Sequence, residues 1–204
     1  TEIKRSPGGN RDISRVVQSL PGVASTSTFR NDLIIRGGAP NENRFFLDDI
    51  EVPVINHFST QGASGGPVGL INVDFIKDVD LYTSAFPANR GNMLSSLLDF
   101  TLIEGRRDRI SGRFTLGSSE AGFSLQGPIG KKSSFIVSVR RSYLQLLFKL
   151  FGLPFLPTYN DFQFKYVYDI GERSDITVLG LGAIDDLELN LSENETDDQK
   201  FLLG

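Results

Sequence analysis

The sequence predicts an α+β domain followed by a run of antiparallel β-strands, in one chain of 204 residues. Three observations carry this. Up to about residue 105, one stretch has helical spacing, and short apolar runs are separated by connections bearing Gly and Pro. From Ile110 onward the texture becomes segments of about ten residues with period-two alternation. After the first, the connections between those segments alternate short, long, short, long.

In the first half, Asn10 is placed to cap a short helix over Arg11 to Ser19. Ile13, Val16, Val17 and Leu20 recur at helical spacing, and Pro21-Gly22 stops the run. Small residues from Val23 to Thr28 lead into the stretch Asn31 to Val54. There, Leu33-Ile34-Ile35 and Phe45-Phe46-Leu47 flank a polar connection and are expected to form a hairpin. Arg36 ends the first run and Asp48-Asp49 the second, so opposite charges are placed to pair across it. Ile55 to Gly69 is rich in Gly and Ser and is expected to be an exposed loop. A helical turn over Leu70 to Ile76, a strand from Val79 to Tyr82, a turn at Phe86 to Gly91 and a strand closing Met93 to Ile103 complete the half.

In the second half, Ile110 to Gly117, Gly122 to Gly127, Ser133 to Tyr143, Phe162 to Ile170 and Asp175 to Ala183 alternate as strands. Phe135, Val137 and Val139 share one face of the third, and Ser134, Ser138, Arg140 and Ser142 share the other with Ile136. Phe162, Phe164, Tyr166, Tyr168 and Ile170 line one face of the fourth, against Gln163, Lys165, Val167 and Asp169. The connections Leu144 to Asp161 and Asp185 to Gln199 are expected to be long loops, the first with a possible helix near Leu144, and a sixth strand begins near Lys200. Short turns at one end and long loops at the other suit a transmembrane barrel. Half of a soluble sandwich or a lipocalin-like barrel gives the same pattern. Aromatic residues stacked on one strand face favour the lipid-facing alternative.

Composition closes several function classes. Twenty-one bases against 25 acids give a net charge of −4, which leaves no basic surplus for general nucleic-acid binding. The absence of cysteine excludes disulfides and thiolate metal sites. No run of roughly 18 apolar residues is present, so no membrane-spanning helix is predicted; a spanning β-strand needs only about 9–11 residues. The opening TEIKRSPGGN reads as a linker, and a processed or trimmed N-terminus is expected. Ala63 to Pro67 has the look of a protease nucleophile loop, with His57 just before it. A Ser-His-Asp site needs a large scaffold around it, so His57 is expected to be a loop residue and the chain not an enzyme. Asp78, Asp80 and the acidic run Ser192 to Asp198 lack EF-hand spacing and read as solvated carboxylates rather than a calcium site. No phosphate-binding loop or dinucleotide fingerprint is present, and no cofactor is implied.

An ordered set of stretches resembles the TonB-dependent outer-membrane receptors. Asp12 to Val23 (DISRVVQSLPGV) resembles the opening helix of the receptors' plug and its Leu-Pro-Gly-Val end. Leu33 to Gly37 resembles the Arg-Gly strand, and Phe46 to Val52 the Leu-Asp-Gly-Ile-Pro segment, with Asp49 where Gly is common. Ile76 to Val79 with Tyr82 resembles a further plug strand. Phe86 to Ser96 resembles the segment near the plug's end in receptors of Bacteroidetes-like bacteria. Arg140 to Tyr143 and Tyr159 to Asp161 resemble early barrel strands. The resemblance implies an α+β plug domain with a small mixed sheet over residues 1–105. Antiparallel strands over 106–204 then begin an incomplete transmembrane β-barrel.

The resemblance also implies a function: import of a scarce nutrient across the outer membrane of a Gram-negative bacterium, the plug gating the lumen. The implied partners are the TonB-ExbB-ExbD energy-coupling complex, the nutrient and outer-membrane lipid. A soluble or surface β-rich binding module without transport is the alternative. Substrate contacts are expected at Pro40, Asn41, Asn43, His57 and Phe58. Polar contacts between plug and barrel are expected at Arg36, Asp48, Asp49, Arg90, Glu104, Arg113 and Arg140. Thr1 to Ile3 is too short to be identified as the TonB box. A plugged barrel of about 22 strands needs about 220 residues in strands alone, so the chain is expected to be a piece of a longer receptor whose strands cannot close by themselves.

Overall fold

The computed structural model describes residues 12–24, 30–66, 68–117, 119–153 and 155–189. It divides into two compact units, Thr1–Ile103 and Glu104–Gly204.

In the first unit, α1 (Ile13–Gln18) is capped by Asp12, whose Oδ1 accepts the Ser14 N–H at 2.9 Å. Asn10, the expected cap, lies outside the described residues. The helix starts at Ile13, with Asp12 taking up the free N–H at its start. β1 (Val23–Ala24) pairs antiparallel with β2 (Ile34–Ile35). A 3-10 turn at Pro40–Glu42 leads to β3 (Asn43–Leu47). The expected hairpin between the two apolar runs is therefore not formed. β3 pairs instead with β4 (Ile50–Val52), through a two-residue turn at Asp48-Asp49. Both turn residues have positive φ, 47° and 69°, as a type I′ turn requires. Asp tolerates that region better than most residues, which is how Asp49 stands where Gly is the easier choice.

β3 also runs parallel to β6 (Ser96–Leu102), which pairs antiparallel with β5 (Ile76–Tyr82), giving a mixed sheet in the order β4-β3-β6-β5. The two central strands share the apolar stretches Phe45–Leu47 and Leu97–Leu98, buried on both faces, while beyond them in β6 the half-buried Asp99 and exposed Thr101 alternate with buried Phe100 and Leu102. Phe45, Leu47, Leu97, Leu98, Phe100 and Leu102 are all buried. The edge strand β5 carries Lys77, Asp78 and Asp80 outward, which guards the edge against further pairing. The expected helical turn before it is a single turn at Val73–Phe75, with the strand already under way at Ile76.

The Gly- and Ser-rich stretch 55–69 is not the exposed loop that its composition suggested. His57 N–H donates to Val68 O at 2.8 Å, Leu70 N–H to Ile55 O at 2.8 Å, and Asn56 bridges Gly69. The ends are thereby zipped, Ile55, Asn56, His57, Ser64 and Gly66 are buried, and only the tip 59–62 is exposed. Small residues here allow close packing of backbone, a use of Gly that composition alone does not distinguish from looseness.

The second unit is a five-stranded antiparallel meander: β7 (Ser111–Leu116), β8 (Glu120–Pro128), β9 (Ser133–Ser142), β10 (Phe155–Asp169) and β11 (Asp175–Leu189). Between β9 and β10 lies α2 (Leu144–Leu150). Among the described residues the sheet is open, with β7 and β11 at its edges. The last two strands have 15 residues each, longer than expected. Asp185 to Leu189, expected in a loop, and Tyr159-Asn160-Asp161, placed in a long loop by composition but resembling a barrel strand, continue the ladder: Tyr159 pairs with Asp185 and Leu156 with Glu188. Their polar side chains hid the strands, since backbone pairing is indifferent to what the side chains are. The acidic run from Ser192 and the sixth strand near Lys200 lie outside the described residues.

Register fixes the two faces of this sheet. Phe114 pairs with Phe123, Phe123 with Val139 and Val139 with Phe162, so one row of apolar side chains crosses four strands on one face. Leu125, Val137 and Phe164 form the next row, and Phe135, Tyr166 and Val178 another. These side chains are not covered: Phe114 is 70% exposed and Phe162 52%. The opposite face carries Arg113, Ser124, Ser138 and Gln163 in one row, and Arg140 beside Asp161 in the next. The alternation read from the sequence is thus realised strand by strand.

Candidate functional site

Three side-chain clusters stand out, two in the first unit and one in the second. The first is a knot of buried polar groups. Asp12, besides capping α1, accepts from Asn31 Nδ2 at 2.6 Å and from Gly69 N–H at 2.9 Å. Ser14 Oγ donates to Asn56 Oδ1 at 2.9 Å, and Asn56 Nδ2 to Ser64 O at 3.1 Å. Ser64 N–H donates to Asp32 Oδ1 at 2.9 Å, and Ser64 Oγ accepts from Leu33 N–H at 3.3 Å. Arg30 reaches Asp32 at 2.6 Å from the exposed side. Three separate segments are therefore held together by polar bonds: α1, residues 30–33 and the zipped loop 55–69. Burial pushes the Asp12 carboxyl above its ordinary pKa, and its three hydrogen bonds pull it back. Sequence reasoning missed this knot; the one local trace of it was Asp12-Ile13-Ser14, a capping pattern at the start of the apolar-periodic run.

The second cluster is centred on Arg90. Its guanidinium lies over the Phe46 ring, 4.1 Å from the centroid, reaches Asp99 at 2.9 Å and also pairs with Asp49. Arg90 thus ties the 83–95 connection to β3, β6 and the β3-β4 turn. Asp49 was expected to pair with Arg36; it pairs with Arg90 because the hairpin is β3-β4. Asp48 accepts the Leu102 N–H at 3.0 Å, while Arg36 sits exposed at φ 51° after β2.

The third cluster is on the polar face of the second unit. Arg140 makes a two-pronged pair with Asp161, at 3.0 and 2.9 Å, and approaches Glu120 at 3.6 Å. Tyr159 donates its hydroxyl to Glu120. Arg140 faces Gly122 across the β8-β9 pair, and a Cβ on Gly122 would stand 3.2 Å from Arg140 Cγ, so the glycine leaves space for the arginine stem. Glu104, at the unit's start, pairs with Arg107 at 3.3 Å, and Arg107 pairs again with Asp169. Arg113 is exposed on β7.

Of the five expected substrate contacts, two are buried. Asn43 donates to Leu33 O at 2.7 Å and accepts from Ser96 Oγ at 2.7 Å, so it is a strut of the sheet. His57 is 1% exposed in the zipped loop. Both were assigned to a ligand-facing loop because their neighbours are Gly, Pro and Ser; the backbone turns them inward. Asn41 is exposed, Pro40 half-buried, and Phe58 half-buried at φ 53°, a conformation that is strained for an aromatic residue. No cluster of three or more metal-ligating side chains occurs among the described residues. No helix of the described chain is long and apolar enough to cross a membrane, which says nothing about strands.

Residues 1–94 match the family model of the TonB-dependent Receptor Plug Domain. No curated protein shows significant similarity to the chain. Among solved structures, the chain is similar to the siderophore receptor PirA from Pseudomonas aeruginosa, at 16% identity and a TM-score of 0.62, over 90% of this chain and 32% of that one. It is similar to the pyoverdine outer membrane receptor FpvA of the same species, at 14% identity and a TM-score of 0.60, over 88% and 26%. The outer membrane transporter YddB from Escherichia coli matches at 16% and 0.58, over 90% and 32%. The chain thus spans about a third of the length of the first structures it matches. At these identities the likeness shows the fold, and it extends from the plug into the antiparallel strands. Residues 1–94, a little under half of the chain, thus resemble the plug domain of TonB-dependent receptors, and the two-faced sheet that follows shares the fold of the matching segment of the solved receptors.

Proposed function

We propose that the chain supplies the plug and five wall strands of a TonB-dependent importer in the outer membrane of a Gram-negative bacterium. One observation supports this most: directly after a plug domain comes a sheet with one exposed apolar face and one polar face. A soluble sheet buries its apolar face against a second layer, whereas a barrel wall turns it to lipid and keeps polar groups inside. The family's location in the outer membrane is the one such a wall requires.

The plug's part in gating rests on how it is held. α1 is tied through Asp12 and Ser14 by hydrogen bonds. Each is worth only about 1 kcal/mol net, since water takes over the partners when they part. A pull from the N-terminal side, supplied by the TonB-ExbB-ExbD complex, would undo the knot before the apolar sheet core, because polar ties exchange with water and packed Leu and Phe do not. Substrate contact is assigned to Asn41, Pro40 and Phe58, which are exposed or half-buried, with the backbone strain at Phe58 as the supporting sign. The nutrient is a small molecule or oligomer.

The test is growth of a strain on a panel of scarce nutrients. The expected result is one nutrient whose uptake is lost on deleting this gene, and equally on deleting tonB. Uptake that survives loss of tonB would overturn the proposal, as would release of the protein from membranes by alkaline carbonate.

A further inference from the structure

We infer that α2 is an interfacial anchor, lying in the lipid headgroup region at the loop end of the wall. The inference rests on the wall reading above. α2 packs on β10. Its Gln145 bridges Thr158, at 3.3 Å, and Glu188, at 3.3 Å. Thr158 stands two steps of two residues along β10 from Phe162, and Glu188 two such steps along β11 from Ile184, with no register shift between them. Gln145 therefore attaches the helix on the same sheet face that carries the apolar rows. Leu156, on that face, is buried where α2 packs against β10.

What α2 then presents outward is not what a water-exposed helix presents. Leu146 and Leu150, one helical turn apart, are 69% and 79% exposed, and Phe151 at the C-cap is 71% exposed. Lys149 is the one charged side chain among them. A solvated helix puts polar residues on that stripe. An interfacial helix puts Leu and Phe there and lets a lysine reach from the apolar layer to the headgroups. The occupant is the bilayer and not a protein because the stripe lies on the same sheet face as the apolar rows, beyond rows that carry Asn160, Arg141, Thr158 and Asp186, the polar groups that a headgroup layer accommodates. Its attachment point, Thr158, lies four residues, on the order of 13 Å, beyond Phe162 along β10, past the apolar rows and toward the interfacial girdle of such a wall.

The chain has no cysteine, and with any cysteine elsewhere in the receptor replaced by serine, single-cysteine spin labels report each position alone. Leu146→Cys and Leu150→Cys are compared with Phe162→Cys in the apolar rows and Glu172→Cys in the exposed β10-β11 turn, in the full-length protein reconstituted in phosphatidylcholine vesicles. Collisions with oxygen, which concentrates in lipid, are set against collisions with a water-soluble nickel chelate. The expected result is an oxygen-to-nickel ratio at both helix positions well above that of Glu172 and closer to that of Phe162. A ratio equal to that of Glu172, or shielding from both quenchers, overturns the inference while leaving the wall reading intact. A water-like ratio at Phe162 overturns the wall reading itself.

Discussion

Replacing Asp12 by alanine removes one carboxylate and leaves three buried donors without it: Ser14 N–H, Asn31 Nδ2 and Gly69 N–H. Ser14 and Asn31 are fully buried and Gly69 nearly so, so water does not replace the lost acceptor without the knot opening. Each orphaned donor costs about 1–3 kcal/mol. Against this, the variant no longer buries a carboxylate whose pKa burial has raised, and that offsets part of the loss. The net expectation is a destabilisation of about 3 kcal/mol, a large fraction of the roughly 5–15 kcal/mol that holds a domain together. Native-state hydrogen exchange reads it locally: the Ser14 and Gly69 amides should exchange faster in Asp12→Ala by about two factors of ten. The Leu98 and Phe100 amides of β6 should change far less. Unchanged exchange at Gly69 would refute the reasoning, as would equal acceleration in β6. The pH dependence has a definite sign. Because the folded pKa lies above the unfolded one, Asp12's titration favours the fold fully below the ordinary carboxylate pKa of about 3.9. That contribution is lost as pH rises through the raised folded value. Asp12→Asn, whatever its absolute stability, should lack this decline; an identical pH slope would count against a raised pKa.

Arg90→Ala with Phe46→Leu, in a double-mutant cycle on the unfolding midpoint, should show coupling of about 0.5–1 kcal/mol from the cation–π contact; zero coupling would mean that the stacking contributes nothing. Arg140→Ala leaves Asp161 and Glu120 without their shared cation, and should cost about 3–5 kcal/mol. Adding Asp161→Asn should recover part of that, and a single-variant loss below about 1 kcal/mol would show that water screens the pair. Gly105→Ala puts a Cβ 2.5 Å from Phe135 O at φ 92° and should cost at least about 2 kcal/mol in the same melts. Gly171→Ala, with open space around it, serves as the neutral reference.

The second half was the more legible in sequence, because period-two alternation states both the strand and its face. Phe162, Phe164 and Tyr166 could not be a helix stripe, and register puts them beside Val139, Val137 and Phe135, the apolar face read from the neighbouring strand's own alternation. The strands' polar extensions were not legible in the alternation: Asn160, Asp161 and Asp185 look like loop residues until a paired neighbour is known, and only the resemblance of Tyr159 to Asp161 to a barrel strand pointed the other way. The first half hid more. Ile34-Ile35 and Phe45 to Leu47 were correctly strands, but short apolar runs do not name their partners, and the parallel pairing of β3 with β6 joins residues some fifty positions apart. Asp48-Asp49 carried a turn signal weakened by the missing Gly. The buried knot was invisible because Asp12, Asn31, Asn56 and Ser64 are scattered, and residues of these types are found on surfaces far more often than inside. For the same reason His57 and Asn43 were placed at a ligand-facing surface that they do not reach.

The account's central claim is that the apolar face of the β7–β11 sheet is turned to lipid. A single-cysteine scan along β10, from Tyr159 to Tyr168, in the full-length protein reconstituted in vesicles, tests it most directly. Accessibility to a lipid-phase quencher should oscillate with a period of two, high at Phe162, Phe164 and Tyr166 and low at Asp161, Gln163 and Lys165. A flat profile, or one with its maxima at Gln163 and Lys165, would contradict it.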